Sequence, residues 1–433
     1  MFGGVQILKA VAALVRGKLS AILLGTAGMG LNAVFHNIGE LVFSATNMGL
    51  PFSSTRAVSA MYSGESDSAV TDLVATIRSW AVLTALGSAL LCLIGAWGLD
   101  WYFFSTSGHS HVWEIMLLSI YVMSLPLEAA ECAILKGARQ LKSVASVETL
   151  SAFGTIICTA PFFYLWGIRG VAVSLVACGW MTVAVHMAYS VRIFPYRIFT
   201  ASMHHTIHEG LALLRVGIPY VLAALMTAIC TSLIYRIIST ESEIGLYKAA
   251  YSIIVTYAGM AFVAIDNDYF PRLTATGSNL ADRNYTINQQ IRVCSMLAGV
   301  LMSALVITMP WVIRILLSED FLPAVPMATA GAYYVFMRSV NLPLGYVPLA
   351  RGDSRIFLCM ETVTGIITVV FTYVGYRWWG LSGCGIALSA SGILETLLLV
   401  LSYSIYYKIR FEKTTVKYIA AMITMLSLAI LIN

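Results

Sequence analysis

Charge is what this sequence has least of. Only 11% of its 433 residues are Asp, Glu, Lys or Arg, against about 25% in an ordinary soluble chain. That scarcity excludes a globule solvated on every side. Also absent is the G-x-x-x-x-G-K-[ST] phosphate loop, which disfavours a pump carrying its own ATP-driven motor. Histidine is sparse, and His204, His205 and His208, in a loop with Arg197 and Arg215, lack the spacing of a metal site. The eight cysteines are scattered mostly through apolar runs, where they read as small core residues rather than a redox pair or metal knuckle. A cleavable leader is not expected either, because Lys9, Arg16 and Lys18 fall inside what would be its apolar core. Neither a resident metal or other cofactor nor a nucleic-acid partner is expected.

What fills the space is apolar. Hydrophobic residues make up 59% of the chain, and the mean hydropathy is +0.82. Runs of about 20 apolar residues recur throughout, each long enough to cross a bilayer as a helix. The expectation is an all-α polytopic membrane protein. Its helices are placed at 4–25, 30–63, 72–98, 112–136, 143–165, 169–192, 209–238, 244–270, 288–317, 323–350, 355–378 and 382–408. A thirteenth run, 415–432, either spans or lies in the interface. Gly49-Leu50-Pro51 should break the second helix, since proline clashes with the preceding turn.

Basic residues in short connections gather on one side, among them Arg78, Lys136, Arg139, Lys142, Arg192, Arg272, Arg351 and Arg355. That side is expected to be cytoplasmic, with the N-terminus inside. The chain also repeats itself. Val147-Glu148-Thr149-Leu150 is echoed by Met360-Glu361-Thr362-Val363, and Trp166-Gly167-Ile168-Arg169-Gly170 by Trp379-Gly380-Leu381-Ser382-Gly383. The unit is six helices, an even number, so the two halves enter from the same side as parallel repeats. The expected boundaries are an N-terminal bundle at 1–200, a C-terminal bundle at 201–410, and an extra apolar segment at 411–433. Internal duplication suits a secondary transporter, with a site between the halves, better than an enzyme.

Candidate site residues are the charges such helices retain. Gln6, Lys9, Ala13, Arg16 and Ser20 are spaced three and four apart and form one stripe on the first helix. Arg16, near mid-span, reads as lining a cavity, because an intramembrane arginine faces water or a carboxylate. Lys9 either faces the cavity or snorkels to the headgroups, and Lys18 points almost the opposite way from Arg16. On the second helix Asn32, His36, Glu40, Phe43 and Asn47 share a face. Glu40 is either a structural partner of Arg16 or a coupling carboxylate, and His36 an interhelical hydrogen-bonder. Arg56 is a cytoplasmic anchor or a gate for an anionic headgroup. Tyr334, Arg338, Asn341 and Gly345 lie on one face of the tenth helix, Arg338 near mid-depth as a further substrate-binding cation that argues against a cationic substrate, and Asn341 as a polar cavity residue. Lys248 reads first as pairing with the acidic turn at Glu241 and Glu243, and second as facing the cavity's outer end. Glu128, Glu131 and Glu395 are further carboxylates within spans, and the duplicated Glu148 and Glu361 read as structural partners of nearby cations. Asp266 and Asp268 read as solvated caps.

Gly3-Gly4-Val5-Gln6, Val15-Arg16-Gly17-Lys18 and Leu24-Gly25-Thr26-Ala27-Gly28-Met29-Gly30-Leu31 resemble the opening of O-antigen and related polysaccharide flippases. These form a branch of the multidrug/oligosaccharidyl-lipid/polysaccharide exporter superfamily. Gly245-Leu246-Tyr247-Lys248-Ala249-Ala250-Tyr251-Ser252 and Asp268-Tyr269-Phe270-Pro271-Arg272-Leu273 extend the resemblance over essentially the whole chain. It implies two six-helix bundles in a V around a central cavity, working by alternating access in the bacterial inner membrane. The implied substrate is an undecaprenyl-diphosphate-linked oligosaccharide moved to the periplasmic leaflet. Arg16, Arg56 and Lys248 or Arg272 are the positions that correspond to diphosphate-holding cations in related flippases. Tyr220, Tyr251, Tyr257 and Tyr334 would give the sugar its aromatic surfaces. A proton, a sodium ion or the membrane potential would drive the cycle, with Glu40 and Glu395 as coupling carboxylates. The expected partners are membrane lipid and polysaccharide assembly proteins, and the expected state is monomeric. The competing readings are a cation-coupled multidrug exporter, which would favour acidic cavity residues, and a membrane glycan polymerase, which would carry larger external loops.

Overall fold

The computed structural model describes residues 2–62, 67–105, 109–198, 203–277 and 279–432. The side chains of 2–4, 7, 67, 68, 203–216, 218–220, 261, 263–267 and 354 also lie outside the described set. His204, His205, His208, Arg215, Tyr220 and Asp266 therefore fall outside the described residues. Among those described, every regular element is a helix. They are α1 (Phe2–Thr46), α2 (Leu50–Met61), α3 (Asp67–Phe104), α4 (Val112–Gly137), α5 (Leu141–Trp166), α6 (Gly170–Ser190) and α7 (Met203–Ile238). There follow α8 (Glu241–Tyr251), α9 (Ala258–Ala275), α10 (Leu280–Leu316), α11 (Val325–Ala330), α12 (Ala332–Arg351), α13 (Ser354–Tyr406) and α14 (Lys413–Ile432). A π-helical stretch, Ser252–Tyr257, joins α8 to α9. Eight helical runs among the described residues are long and apolar enough to cross a membrane, and Lys413–Ile432 is one of them. This is a multi-pass membrane protein.

Three of those runs are folded back on themselves by a single glycine. Gly25 (φ 66°), Gly167 (φ 54°) and Gly380 (φ 59°) interrupt otherwise helical backbone. A Cβ on Gly383 would sit 1.9 Å from the carbonyl oxygen of Gly375. In a continuous helix, residues eight apart are about 12 Å apart, so the chain reverses here. The W-G-x-x-G motifs are accordingly tight hairpins. The turns also carry the repeat. Of the ten residues with positive φ among those described, six form pairs 213 or 214 positions apart: Gly25 with Ser239, Arg139 with Gly352, and Gly167 with Gly380. A six-helix duplication is thus written in backbone conformation as well as in sequence. The second helix breaks where proline predicts: Asn47 Oδ1 accepts from Gly49 N at 2.8 Å, and α2 restarts at Leu50-Pro51.

The chain divides into two compact units, Met1–Ser242 and Glu243–Asn433. In the first, α4 packs against α3 and α6, and α7 lies against α1, α2 and α3. Gly49 and Gly217 meet backbone to backbone there, a Cβ on Gly49 falling 2.4 Å from Gly217 Cα. Such approach is the usual role of small residues between membrane helices, where packing rather than water drives association. In the second unit α12 packs on α13, and α10 on both α12 and α14. Its core gathers Tyr269, Leu344, Val347, Leu399 and Tyr403.

Two polar clusters brace the ends of α3. At one end Arg78, 2% exposed, donates from Nε to Glu131 Oε1 at 2.8 Å and from Nη2 to Glu131 Oε2 at 3.1 Å. It also donates to the carbonyls of Phe194 and Pro195 and to Ser190 Oγ, tying α3, α4 and α6 together. Its place among the loop cations is thereby corrected: Arg78 is buried and fully bonded. At the other end, 22 residues on, Asp100 accepts from His111 N at 2.7 Å; that separation is about 33 Å of helix, a bilayer core's thickness. The His111 ring lies with Nε2 3.4 Å from Glu241 and Nδ1 3.8 Å from Glu114, flanked by Phe35 and Phe104. Trp97, Trp101 and Trp113 stand exposed at this same end, as headgroup-level aromatics do.

Two outcomes follow. Arg78→Ala strands the Glu131 carboxylate and should destabilise the protein by about 3–5 kcal/mol, whereas Arg78→Leu with Glu131→Leu should recover most of that loss. Thermal unfolding in detergent measures both. His111 has its pKa raised above 6.5, chiefly by Glu241, against burial and with help from Glu114 and Asp100. Its stabilisation is therefore complete below the ordinary imidazole pKa and fades as pH rises through the raised value. The melting-temperature difference between wild type and His111→Gln should be largest at pH 6 and shrink toward pH 9.

Candidate functional site

Buried charge sorts the candidates, because a charge in apolar surroundings must be paired, hydrogen-bonded or wetted. Lys9 is paired: its Nζ lies 2.9 Å from Glu148 Oε2, and Lys136 approaches the other oxygen of that carboxylate at 3.9 Å. Arg272 bonds Asp268 one turn back at 2.9 Å and reaches Gln290 at 3.4 Å, an exposed arrangement at the end of α9. Asn47 is spent on its own turn. Arg56 is exposed on α2, and Lys248 is half-buried on α8. The stripe on the second helix is split. His36 is exposed, its ring 6.5 Å from that of Tyr121, while buried Asn37 beside it bonds α7 through Ser232 at 2.8 Å.

Arg16 differs from all of these. It is exposed on the first limb of α1, and among the described residues it forms no ion pair with Glu40 or any other carboxylate. Its field nevertheless reaches Tyr121 on α4, together with the fields of Glu40 and Glu128. It reaches Cys178 on α6 as well. Tyr121 and Cys178 belong to a polar wall of the first unit. That wall is built by α1, α4 and α6: Glu128 accepts from Thr182 Oγ1 at 3.0 Å, and Gly39 leaves room for the Tyr121 ring. Lys18 is half-buried.

The second unit has a hollow. A cavity of about 230 Å³ opens between α12 and both limbs of α13. Arg338, Asn341 and Gly345 from one face of α12 line it, with Glu361 and Glu395 from α13. Arg338 donates to Tyr334 Oη at 3.2 Å and is solvent-accessible though densely surrounded, as a group in a hollow must be. Here the two copies of the V/M-E-T motif part company. Glu148 serves an ion pair, whereas Glu361 lines the cavity instead of pairing with Arg355. Tyr251 stacks on Tyr247 at 5.9 Å in α8, and Tyr257 closes the π-helical stretch. No group of three or more metal-ligating side chains occurs among the described residues.

With this geometry in hand, comparison with known proteins is decisive at the level of family. The profile of the polysaccharide biosynthesis protein family matches residues 2–276. The chain belongs to that family. Among curated proteins no sequence matches significantly. Among solved structures, it is similar to the lipid II flippase MurJ in an inward closed conformation, with a TM-score of 0.76 at 15% identity over 99% of this chain and 90% of that one. It is similar also to an inward-facing multidrug resistance MATE family transporter of the MOP superfamily, with a TM-score of 0.72 at 15% identity over 93% and 96%. A third is a MOP superfamily transporter from Pyrococcus furiosus described as having reverse polarity of its binding pocket, at 0.63, 12% identity, 92% and 93%. The fold is that of the MOP transporters.

If Lys9 serves Glu148 rather than a ligand, Lys9→Ala should weaken the protein in the same measure as Glu148→Gln. The double variant should cost no more than either single one. A double-mutant cycle on melting temperature gives the coupling, expected between about 0.5 and 2 kcal/mol for a half-buried pair.

Proposed function

We propose that this protein translocates a lipid-linked saccharide between leaflets, with Arg16 meeting the diphosphate. The observation that carries the reading is the Arg16 guanidinium, set within an apolar span and free of a carboxylate partner among the described residues. Guanidinium matches phosphate oxygens through a planar two-pronged fork, and charge-assisted bonds of this kind are strong where water is scarce. Membership of a polysaccharide biosynthesis family supports the saccharide, and similarity to a lipid II flippase supports the lipid carrier. The specific substrate proposed is an undecaprenyl-diphosphate-linked repeat unit such as O-antigen. It would be carried from the cytoplasmic to the periplasmic face of the inner membrane by a monomer whose N-terminus is cytoplasmic. Polysaccharide assembly proteins would receive it. Arg338 shares its cavity with two carboxylates, Glu361 and Glu395, so we do not assign it to the diphosphate. Glu40 remains the proposed coupling carboxylate for H⁺ or Na⁺, and Glu395 for H⁺.

A second reading, a cation-coupled multidrug exporter, draws support from the carboxylates Glu361 and Glu395 in one cavity and from similarity to MATE transporters. Arg16 opposes it, since a cationic substrate would meet a bare positive charge. Replacing Arg16 separates the two. Arg16→Ala should reduce translocation of a diphosphate-linked glycan in proteoliposomes at least tenfold, the loss of one charge-assisted bond of about 1.5 kcal/mol or more. Arg16→Lys should restore part of it. Unchanged glycan transfer by Arg16→Ala, or transport of an organic cation improved by it, would favour the exporter.

A further inference from the structure

The second unit's cavity contains a buried amide with no hydrogen bond of good geometry among the described residues. Asn341 is only 4% exposed, yet neither its Oδ1 nor its Nδ2 has a hydrogen-bond partner among the described residues, although the amide sits beside the Glu395 carboxyl. An unmet buried amide is costly, and native proteins rarely leave one without cause. Here it lines an opening of about 230 Å³. For scale, an apolar cavity of about 150 Å³ takes benzene. The opening suits one six-membered ring with substituents.

The lining says which ring. Glu361 and Glu395 offer four carboxylate oxygens, and Arg338, already donating to Tyr334, is the cation among the lining residues. Two carboxylates against one guanidinium repel a phosphate or a uronic acid. A hydrocarbon tail would leave the carboxylates and Asn341 unmet. A bare alkali ion would face Arg338 and leave most of the volume and its aromatic walls unused. Those walls are Tyr346, Phe357 and Tyr403. We infer that this cavity is a binding subsite for a single sugar ring without negative charge: its hydroxyls donate to Glu361 and Glu395 and accept from Asn341, and its C–H face rests on the aromatic rings. The inference rests on the saccharide-translocation reading and adds the chemical class of sugar to it. Gly345 keeps the space open, since a Cβ there would meet nothing within 4 Å.

Saturation-transfer NMR on the full chain in nanodiscs tests this, with methyl β-glucoside, methyl α-galactoside, methyl N-acetyl-β-glucosaminide and methyl β-glucuronide as probes. Wild type should transfer magnetisation to at least one neutral glycoside and not to the glucuronide. Gly345→Leu, which fills the cavity, and Asn341→Ala should each cut that signal at least fivefold while melting as wild type does. If Gly345→Leu fails to fold, Glu361→Gln serves in its place, with the same expectation. No transfer to any neutral glycoside, transfer untouched by these variants, or a glucuronide signal as strong as the neutral ones would overturn the subsite. The same samples, assayed for lipid-linked glycan translocation, keep the two readings apart. Translocation without glycoside binding removes the subsite alone, and glycoside binding without translocation removes the transport reading alone.

Discussion

Everything polar in this molecule answers to one constraint: a charge that enters a low-dielectric span must be neutralised, bonded or kept wet. With 11% charged residues, the protein retains few charges, so the position of each carries information. Arg78 and Glu131 neutralise one another and bind three helices. Lys9 and Lys136 share Glu148. Among the groups left after this pairing are Arg16, exposed in the first unit, and the Arg338, Glu361, Glu395 and Asn341 set that lines the second unit's cavity. On the proposed reading, the presence of a carboxylate or ammonium partner, rather than depth in the membrane, separates structural charge from charge available to a ligand.

The helical plan was legible because apolar length and punctuation are local properties. Twenty-residue runs mark helices, and Pro51 and the W-G-x-x-G turns mark where they break, so break positions and repeat agree with the structure to within a residue or two. The pairing of charges was not legible, since it depends on which helix faces which. Glu148 reads as a partner for Arg139 or Lys142, which are near in sequence; its partner is Lys9, 139 residues away. Arg78 reads as a loop cation because it stands close to the start of an apolar run. Only the fold brings Glu131 and the Phe194 and Pro195 carbonyls to it. The two copies of the duplicated Glu show the same limit. An identical motif in each half cannot disclose that one copy meets a lysine and the other a cavity.

That divergence between repeats has a physical logic. Duplication supplies two equivalent bundles, and equivalence serves the frame: left-handed turns 213 or 214 residues apart keep helices of matching length in matching order. On the proposed reading, a carrier for a molecule with an anionic end and a neutral end needs walls that differ. In the first unit the Glu148 charge is cancelled by lysines, leaving a guanidinium exposed nearby on the same helix as Lys9. In the second, Glu361 is left in the cavity beside Glu395 and an unmet amide. The surroundings of one repeated carboxylate thus differ between the units: lysines in the first, a cavity in the second. The frame is kept alike in the two halves by turn geometry, while polarity is set by pairing, so one six-helix unit carries an exposed cation and the other a cavity lined by acceptors.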